Sequence, residues 1–278
     1  MTSLIDLHCH STASDGAWAP EKLLDEAARR GIQTLAITDH DTFSGYRQAA
    51  QSAGSDALTL IPGIELSAVW SGITLHVVGL NFAPDSDVML EAERIQSIAR
   101  QKRAEMIADR LTKRIGAEVN LDEVASLAGG DQIGRPHFAQ YLVNHGHVAS
   151  MNVAFSRYLG AGKVGDVKAL WPEMTQAVEW IVDSGGVAVL AHAHLYNMTR
   201  TKLRTCLKEF MAAGGQAMEV AYGQMDGNQR GQMTALAKEF GLLGSCGSDF
   251  HGPNRYGLEL GIMPAFPFDV QPVWSLWQ

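Results

Sequence analysis

Short apolar runs alternate with amphipathic helical segments over most of this chain of 278 residues. The apolar runs predict strands at residues 4–10, 34–38, 58–66, 73–80, 187–191, 217–222 and 242–246. Because parallel strands are usually joined by helices, this alternation indicates an α/β fold whose strands are parallel. A closed barrel and an open doubly wound sheet both fit the pattern.

The alternation stops between residues 85 and 165, where apolar residues recur at helical spacing among many charges. Glycine-rich joints at Gly129-Gly130 and Gly160-Ala-Gly162 divide this segment into shorter helical pieces. We therefore expect one α/β domain built from residues 1–84 and 166–278, with residues 85–165 forming a helical insertion domain.

The composition is that of a globular protein, with 46% hydrophobic and 19% charged residues. No apolar run approaches the roughly 18 residues of a membrane span, and no secretory signal is visible. Cys9, Cys206 and Cys246 lie far apart, which argues against a disulfide framework. We expect a cytoplasmic protein with no membrane or protein partner. Its net charge of -8 is unfavourable for long nucleic acid, unless bound cations reverse the local potential.

The strongest local motif is His8-Cys9-His10, at the end of the first predicted strand. Residues i and i+2 of a strand point to the same face, so both imidazoles lie on one side and Cys9 on the other. The carboxyl ends of strands are where parallel α/β folds place their active sites. Taken alone the motif is weak, because two chance surface histidines would give the same pattern.

Further His, Asp and Glu residues occupy or follow the predicted strands in the same way. The complete set of candidate metal ligands is His8, His10, Asp15, His40, Glu65, His76, His192, Asp249 and His251. Imidazoles mixed with carboxylates suit manganese, iron or zinc, and we expect manganese. Nine side chains exceed the coordination of one ion, so the sequence predicts two or three divalent ions sharing a bridging carboxylate. Centres of this kind typically hydrolyse phosphate esters.

These residues lie in motifs that resemble, in order, those of the PHP (polymerase and histidinol phosphatase) phosphoesterases. The motifs are His8-Cys-His10, Asp15-Gly16, Ile37-Thr-Asp-His-Asp41, Pro62-Gly-Ile-Glu65, His76, Ala191-His192 and Gly247-Ser-Asp-Phe-His251. The resemblance is strongest to the subgroup that acts on nucleoside 3′,5′-bisphosphates and on the 5′ ends of short RNA. It implies a distorted (β/α)7 barrel with a helical insertion and a site for three metal ions.

The resemblance also implies how the ligands divide among the ions. The first ion would be bound by His8, His10, Glu65 and Asp249, the second by Asp15, His40 and His251, and the third by Glu65, His76 and His192. Glu65 would bridge two ions. Asp249 and His192 are also candidates for moving protons, and Arg135 for neutralising charge that develops on the reacting phosphate.

Substrate contacts are expected from the insertion, because Arg135, His137 and Lys163 match positions where the subgroup contacts phosphate groups. Arg suits bidentate phosphate binding, and Lys suits a point-charge contact. The chain departs from the subgroup at two places. Ala193-His194-Leu195 replaces Pro-Gly-Arg, so His194 is either a substitute substrate contact or a bystander, and Asp166 replaces a tyrosine. Both departures leave the metal ligands intact and bear on the identity of the substrate.

We therefore predict a metal-dependent phosphoesterase that hydrolyses the 3′-phosphoester of 5′-phosphorylated nucleotides, such as nucleoside 3′,5′-bisphosphates. The alternative is a 5′→3′ exoribonuclease that releases 5′-mononucleotides from short or 5′-phosphorylated RNA by the same chemistry. A histidinol-phosphate phosphatase is a weaker alternative, because the resemblance to that subgroup is poorer. A non-catalytic metal-binding scaffold is disfavoured, because no expected ligand is missing.

Overall fold

The computed structural model describes residues 4–52, 58–128, 132–167, 170–253 and 257–277. Within these residues the chain has the predicted α/β fold, and its strands form two sheets. The strands are β1 (Ile5–Cys9), β2 (Thr34–Ile37), β3 (Thr59–Ile61), β4 (Gly63–Trp70), β5 (Ile73–Leu80), β6 (Val187–Leu190), β7 (Ala217–Tyr222) and β8 (Leu243–Gly247). The predicted joint at Gly129-Gly130 lies outside the described residues.

Helices connect most of the strands and fill the segment between β5 and β6. They are α1 (Pro20–Arg29), α2 (Ser44–Ser52), α3 (Asp87–Ile115), α4 (Leu121–Ala128), α5 (Arg135–Asn144), α6 (Met151–Ala154), α7 (Met174–Asp183), α8 (Arg200–Ala212) and α9 (Gly227–Phe240). The sequence pattern does not predict α2, because Gly45 and Ala49 are its buried residues and give little apolar periodicity. None of the helices in the described part of the chain is long and apolar enough to cross a membrane.

The two sheets differ in strand direction. The first, β1-β2-β3, is parallel as predicted. The second has the order β4-β5-β6-β7-β8, and β5 is antiparallel to both of its neighbours. The prediction of parallel strands is therefore wrong for the pairs β4–β5 and β5–β6, whereas β6, β7 and β8 pair in parallel as predicted. For β4 and β5 the reason is the short Ser71-Gly72 turn between them, with φ angles of 48° and 73°, because a parallel crossover needs a dozen or more residues.

The predicted strand at residues 58–66 is in fact two strands, β3 and β4, that belong to different sheets. Pro62 separates them, since proline has no backbone N–H to donate to a sheet ladder. Because the described strands form two sheets, the distorted (β/α)7 barrel that the resemblance implies is not confirmed, although the α/β class is.

Two isolated backbone bridges join the sheets beside the predicted site. Cys9 at the end of β1 bridges Phe250, which follows β8, and His40, which follows β2, bridges Glu65 near the start of β4. Backbone hydrogen bonds support both bridges, including one of 2.9 Å from His10 N to Phe250 O. The ends of β1, β2 and β8 therefore meet the start of β4, and this meeting point brings distant parts of the sequence together.

Helix α3 contributes apolar side chains to two separate hydrophobic clusters. Met89 and Ala92 in its first half pack in the cluster that covers the second sheet. Ile107 and Leu111 in its second half pack with Phe138 of α5 and other helical residues. Each fully buried Leu, Ile or Phe side chain contributes about 1.5–3 kcal/mol. The helices between β5 and β6 thus have an apolar cluster of their own.

Candidate metal centre and substrate cavity

Glu65 lies at the centre of the predicted ligands, and it is only 1% exposed. Its carboxylate oxygens face five imidazole rings. Its Oε1 atom lies 3.4 Å from His8 Nε2, 2.8 Å from His76 Nδ1 and 3.0 Å from His192 Nε2, and its Oε2 atom lies 3.3 Å from His10 Nε2 and 2.9 Å from His40 Nδ1. A carboxylate with imidazoles at both oxygens is suited to bridge metal ions.

Asp249 and Asp15 complete the cluster. Asp249 Oδ1 lies 3.3 Å from His8 Nε2, 3.1 Å from His10 Nε2 and 3.6 Å from His251 Nδ1. Asp15 Oδ1 lies 3.4 Å from His251 Nε2 and 3.9 Å from His10 Nδ1. The structure therefore brings all nine predicted ligands into one cluster, although they come from both ends of the chain.

The donor atoms fit a centre of divalent ions. Atoms that lie within 4.8 Å of one another form three groups: His10, Asp15, His40 and His251; His8, His10 and Asp249; and His40, Glu65 and His76. In the described part of the chain, the buried atoms His8 Nε2 and His10 Nδ1 have no hydrogen-bond partner. Buried polar atoms are normally hydrogen-bonded, so these ring nitrogens need another partner. A metal ion bound among the neighbouring carboxylates would be that partner.

Burial and neighbouring charges set the protonation of this cluster in the metal-free protein. Burial, together with the charge of His251, lowers the pKa of His10 to about 3. Burial would also lower the pKa of His40, but the carboxylates of Glu65 and Asp15 outweigh it and raise that pKa to about 9. Burial would raise the pKa of Glu65, but the surrounding imidazoles hold it well below its usual range. Protonated and neutral imidazoles therefore surround an ionised carboxylate.

Metal binding should release protons at neutral pH. His40, with its pKa of about 9, must lose a proton before its ring nitrogen can bind an ion, so the apparent affinity for Mn²⁺ should rise with pH up to that value. Calorimetric titration in buffers of different ionisation enthalpy should count about one released proton for this group. Binding heats that do not depend on the buffer would contradict the raised pKa.

The same shift links the stability of the metal-free protein to pH. The pKa of His40 is higher in the folded chain than its ordinary value of 6.5, so folding favours the protonated ring. The resulting stabilisation is fully present below the ordinary pKa and is lost as the pH rises through about 9.

Glu219 in β7 supports two of the ligands and is missing from the predicted set. Its Oε1 atom lies 2.7 Å from His8 Nδ1, and its Oε2 atom accepts a hydrogen bond from the backbone N–H of His192. A carboxylate at the far ring nitrogen fixes the orientation of a metal-binding imidazole. Its signal in the sequence is that Glu219 is the one charged residue within the apolar strand Ala217–Tyr222.

Three residues that follow strands at the site have positive φ angles: Asp41 (57°), His192 (29°) and Asp249 (52°). Non-glycine residues rarely adopt this region, and such outliers cluster at functional sites where their surroundings hold them. Asp249 is held by hydrogen bonds from its backbone N–H to the carbonyl oxygen of His8 at 2.8 Å and from the Tyr222 hydroxyl to its Oδ2 atom at 2.7 Å. The sharp turn after β8 thus directs a carboxylate into the cluster.

A cavity of about 370 Å³ opens beside the cluster, and Arg100, Arg103 and Arg135 line it; we call it the arginine cavity. Arg100 and Arg103 come from α3, are buried, and lie 5.4 and 5.3 Å from the ring centre of Trp171. Burial, together with the charges of Arg135 and Arg100, lowers the pKa of Arg103 to about 9. Clustered guanidinium groups beside a metal centre are suited to bind a second anionic group of a substrate.

Asp41 anchors Arg100 at the arginine cavity. Its buried carboxylate accepts hydrogen bonds of 2.6 Å from Ser67 N and 2.7 Å from Arg100 Nε, and it pairs with Arg100 Nη2 at 2.6 Å. Asp41→Asn should lower the free energy of unfolding by about 3 kcal/mol, because the buried guanidinium loses its counter-charge. Asn keeps an acceptor for Ser67 and tolerates a positive φ. Urea denaturation measures the change.

A matched control lies on α3, the helix that carries Arg100. Asp109→Asn breaks an exposed pair with Lys113, and such pairs contribute less than about 1 kcal/mol. Equal effects of the two substitutions would contradict the role assigned to the buried pair.

The predicted substrate contacts of the insertion occupy different places. Arg135 lines the arginine cavity, and its Nη1 atom donates to the backbone oxygen of Leu159 at 3.2 Å. His137 is buried, and its Nδ1 atom accepts a hydrogen bond of 2.9 Å from Gly134 N. Lys163 is exposed and does not line the arginine cavity in the described structure. The geometry thus brings Arg135 to the site, and the contact of Lys163 stays a prediction.

The two departures from the expected motifs also have defined places. Asp166 Oδ2 accepts a hydrogen bond of 2.7 Å from Gly162 N, and Asp166 Oδ1 lies 4.0 Å from Arg135 Nη1. It therefore orders the turn before Lys163 and faces a cavity arginine. His194 packs edge-on against Tyr222, with ring centres 4.9 Å apart. Burial lowers the pKa of His194.

A cluster of imidazoles and carboxylates beside an arginine-lined cavity has the composition of the active site of a metal-dependent phosphoesterase. The family model described as the PHP domain matches residues 6–182. The chain therefore belongs to the PHP domain family, and the predicted class of hydrolase is confirmed.

Relatives and a solved structure agree with this assignment. The chain is 42% identical over 275 residues to a 5′-3′ exoribonuclease of Haemophilus influenzae, covering 99% of both chains. It is 37% identical over 278 residues to a 3′,5′-nucleoside bisphosphate phosphatase of Chromobacterium violaceum, covering 97% of this chain and 95% of that one. The structure of an amidohydrolase from Chromobacterium violaceum, with bound sulfate and no metal, has a TM-score of 0.91 and 36% identity, covering 99% of this chain and 95% of that chain.

Proposed function

We propose that this protein hydrolyses the 3′-phosphoester of nucleotides that carry a 5′-phosphate, and that nucleoside 3′,5′-bisphosphates are substrates. The observation that carries this proposal is the position of the arginine cavity next to the metal-ligand cluster. The same cavity is lined by Asp15, His40 and Asp249 of the cluster and by Arg100, Arg103 and Arg135. A substrate with two phosphate groups can therefore place one at the cluster and the other among the arginines.

We further propose that two or three divalent ions bind here, and manganese suits the mixed donors. The ligands would be the nine predicted side chains, with Glu65 as the bridge. When bound, such ions polarise the phosphoester and lower the pKa of water. The chain itself contributes positioning: Glu219 orients His8, and the Tyr222 hydroxyl orients Asp249.

Proton transfer to the leaving 3′-oxygen is the proposed additional role of Asp249 or His192. Asp249 lines the arginine cavity. Tyr222, which also lines it, donates a hydrogen bond to Asp249 and packs edge-on against His192. Arg135 is the proposed contact of the second phosphate, and Arg103 lines the same cavity. His137, which bonds to the start of α5, would orient the backbone around Arg135.

We also propose that the two sheets are the halves of a distorted barrel of the (β/α)7 type, joined at the Cys9–Phe250 and His40–Glu65 bridges. Residues 1–84 and 166–278 would form this barrel domain. Residues 85–165 would form the insertion domain, which supplies all three arginines of the cavity.

A second candidate function is 5′→3′ exoribonuclease activity. The 42% identity to the Haemophilus influenzae exoribonuclease favours it. The chemistry is the same in both cases, because the bond between phosphorus and the 3′-oxygen of the first nucleotide breaks. A bisphosphate releases phosphate, and a 5′-phosphorylated RNA releases a 5′-mononucleotide.

The test is a substrate panel with the Mn²⁺-loaded protein. Adenosine 3′,5′-bisphosphate should yield phosphate and 5′-AMP, whereas 5′-AMP should be inert and 3′-AMP should react slowly because it lacks the second anion. Histidinol phosphate serves as the comparison for the weaker alternative. Preferred turnover of histidinol phosphate, release of the 5′-phosphate, or no turnover of any substrate would overturn the proposal.

A further inference from the structure

Asp166 places a carboxylate beside one of the arginines that line the arginine cavity. Its Oδ1 atom lies 4.0 Å from Arg135 Nη1, and its side chain is only 8% exposed, so solvent screens its charge weakly. The resemblance implies a tyrosine at this position, and the chain therefore carries a negative charge where a neutral ring is expected. A carboxylate next to an arginine that binds an anion opposes that binding, because like charges repel.

The turn at residues 162–166 holds this carboxylate in place. Gly162 N donates to Asp166 Oδ2 at 2.7 Å, and Asp166 N donates to the backbone oxygen of Lys163 at 2.9 Å. Gly165 N donates to the backbone oxygen of Tyr158 at 2.7 Å, which joins the turn to the preceding helical segment. The carboxylate is therefore ordered beside Arg135 by bonds of its own turn as well as by the arginine.

The charge of Asp166 belongs to a nearly balanced set around the arginine cavity. Arg100 is paired with the buried carboxylate of Asp41 at 2.6 Å, and Arg135 faces Asp166. These two carboxylates offset all but one of the three guanidinium charges that line the cavity. Burial and the charges of the other two arginines lower the pKa of Arg103 to about 9, whereas Asp41 and Asp166 act in the opposite direction. Asp166 thus influences two of the three arginines.

The proposed reaction makes the affinity of this cavity for a 5′-phosphate important after hydrolysis as well as before it. Water adds to phosphorus, the bond between phosphorus and the 3′-oxygen breaks, and that oxygen takes up a proton. The 5′-phosphate is unchanged, so the substrate and the 5′-mononucleotide product both carry it. Interactions that are equally strong in every state lower KM without raising kcat. Very tight binding of the 5′-phosphate would therefore retain the product, whether the substrate is a bisphosphate or RNA.

We propose that Asp166 weakens the binding of the 5′-phosphate at Arg135 and thereby limits inhibition by the 5′-mononucleotide product. This proposal rests on the proposed function and deepens it. It also gives the replacement of a tyrosine by Asp166 a role in substrate and product affinity. Asp166 does not itself line the arginine cavity in the described structure, so it acts through Arg135 and not as a catalytic residue.

The experiment measures the affinity of the Mn²⁺-loaded protein for 5′-AMP. Asp166→Asn removes the charge and keeps an oxygen that can accept the hydrogen bond from Gly162. The inhibition constant of 5′-AMP against adenosine 3′,5′-bisphosphate should fall about tenfold, which is the size of one charge-assisted contact. The KM of the bisphosphate should fall by a similar factor, and kcat should not rise. Calorimetric titration measures the binding of 5′-AMP without turnover, and the binding of adenosine, which has no phosphate, should not change.

Three further variants identify the charge as the cause. Asp166→Glu keeps the charge but alters the turn, and it should not raise the affinity for 5′-AMP. Asp109→Asn removes an exposed carboxylate from α3 outside the arginine cavity, and it should change no constant. In a protein that already carries Arg135→Ala, adding Asp166→Asn should change the affinity for 5′-AMP by less than about threefold, because the arginine that it acts on is gone.

The outcomes separate this inference from the proposed function. If the unmodified protein does not hydrolyse the bisphosphate, the proposed function itself is wrong. If it does, but Asp166→Asn leaves the affinity for 5′-AMP unchanged or lowers it, Asp166 does not oppose phosphate binding. An equal gain in affinity from Asp166→Glu would assign the effect to the turn and would also overturn the inference. A full effect of Asp166→Asn in the absence of Arg135 would do the same.

Discussion

Glu65→Gln should lower kcat/KM by at least about 1,000-fold, which corresponds to roughly 4 kcal/mol of lost stabilisation of the transition state. The expected size follows from the position of the carboxylate, whose oxygens face five imidazoles within 3.4 Å. Gln has the same shape but no charge, and its NH₂ group cannot bind a cation. Both the binding of metal ions and the bridge between them should be lost.

A second readout identifies the electrostatic role of Glu65 without metal. The pKa of His40, raised to about 9 by Glu65 and Asp15, should fall in the metal-free variant because its principal negative neighbour is gone. Nuclear magnetic resonance titration of the ring measures this change. Glu91→Gln, which alters an exposed pair with Arg94 on α3, is the matched control and should leave activity unchanged. Near-normal activity of Glu65→Gln would remove Glu65 from the proposed centre.

Arg135→Ala should lower kcat/KM for adenosine 3′,5′-bisphosphate by about 10- to 100-fold, because a charge-assisted hydrogen bond to an anion contributes about 1.5–3 kcal/mol. The metal centre would still hold the scissile phosphate. Hydrolysis of p-nitrophenyl phosphate, which lacks a second anion, should therefore change little. The comparison of the two substrates measures the specificity that the cavity arginine provides.

The control for this variant is Arg157→Ala, since Arg157 is an exposed arginine of the insertion that does not line the arginine cavity in the described structure. It should leave both substrates unaffected. If Arg135→Ala slows both substrates equally, Arg135 acts on the reacting phosphate or on folding. In that case the proposed recognition of a 5′-phosphate would be incorrect.

The metal ligands could be predicted from the sequence because strands impose a simple rule on them. His8 and His10 share a face by their spacing, and Asp249 and His251 follow a strand in the same way. The α/β class followed from the alternation of elements. The hairpin of β4 and β5 was harder to predict, because its antiparallel pairing depends on the short Ser71-Gly72 turn.

The supporting residues were harder to predict because long-range contacts define their roles. Glu219 reaches His8 across 211 positions of sequence, and only the fold brings the two together. Arg100 and Arg103 have the spacing of ordinary charges on an amphipathic helix. Their burial depends on how α3 packs over the second sheet and against Trp171. Local periodicity carries no information about such contacts.

We propose that nine side chains form a centre for more than one metal ion. The most direct test is an anomalous-scattering map of crystals grown with Mn²⁺, combined with elemental analysis of the same protein. We expect two or three manganese peaks per chain, because the nine donors exceed the coordination of a single ion. The Glu65 carboxylate should bridge two of these ions. One peak or none after saturation with Mn²⁺ would contradict the claim.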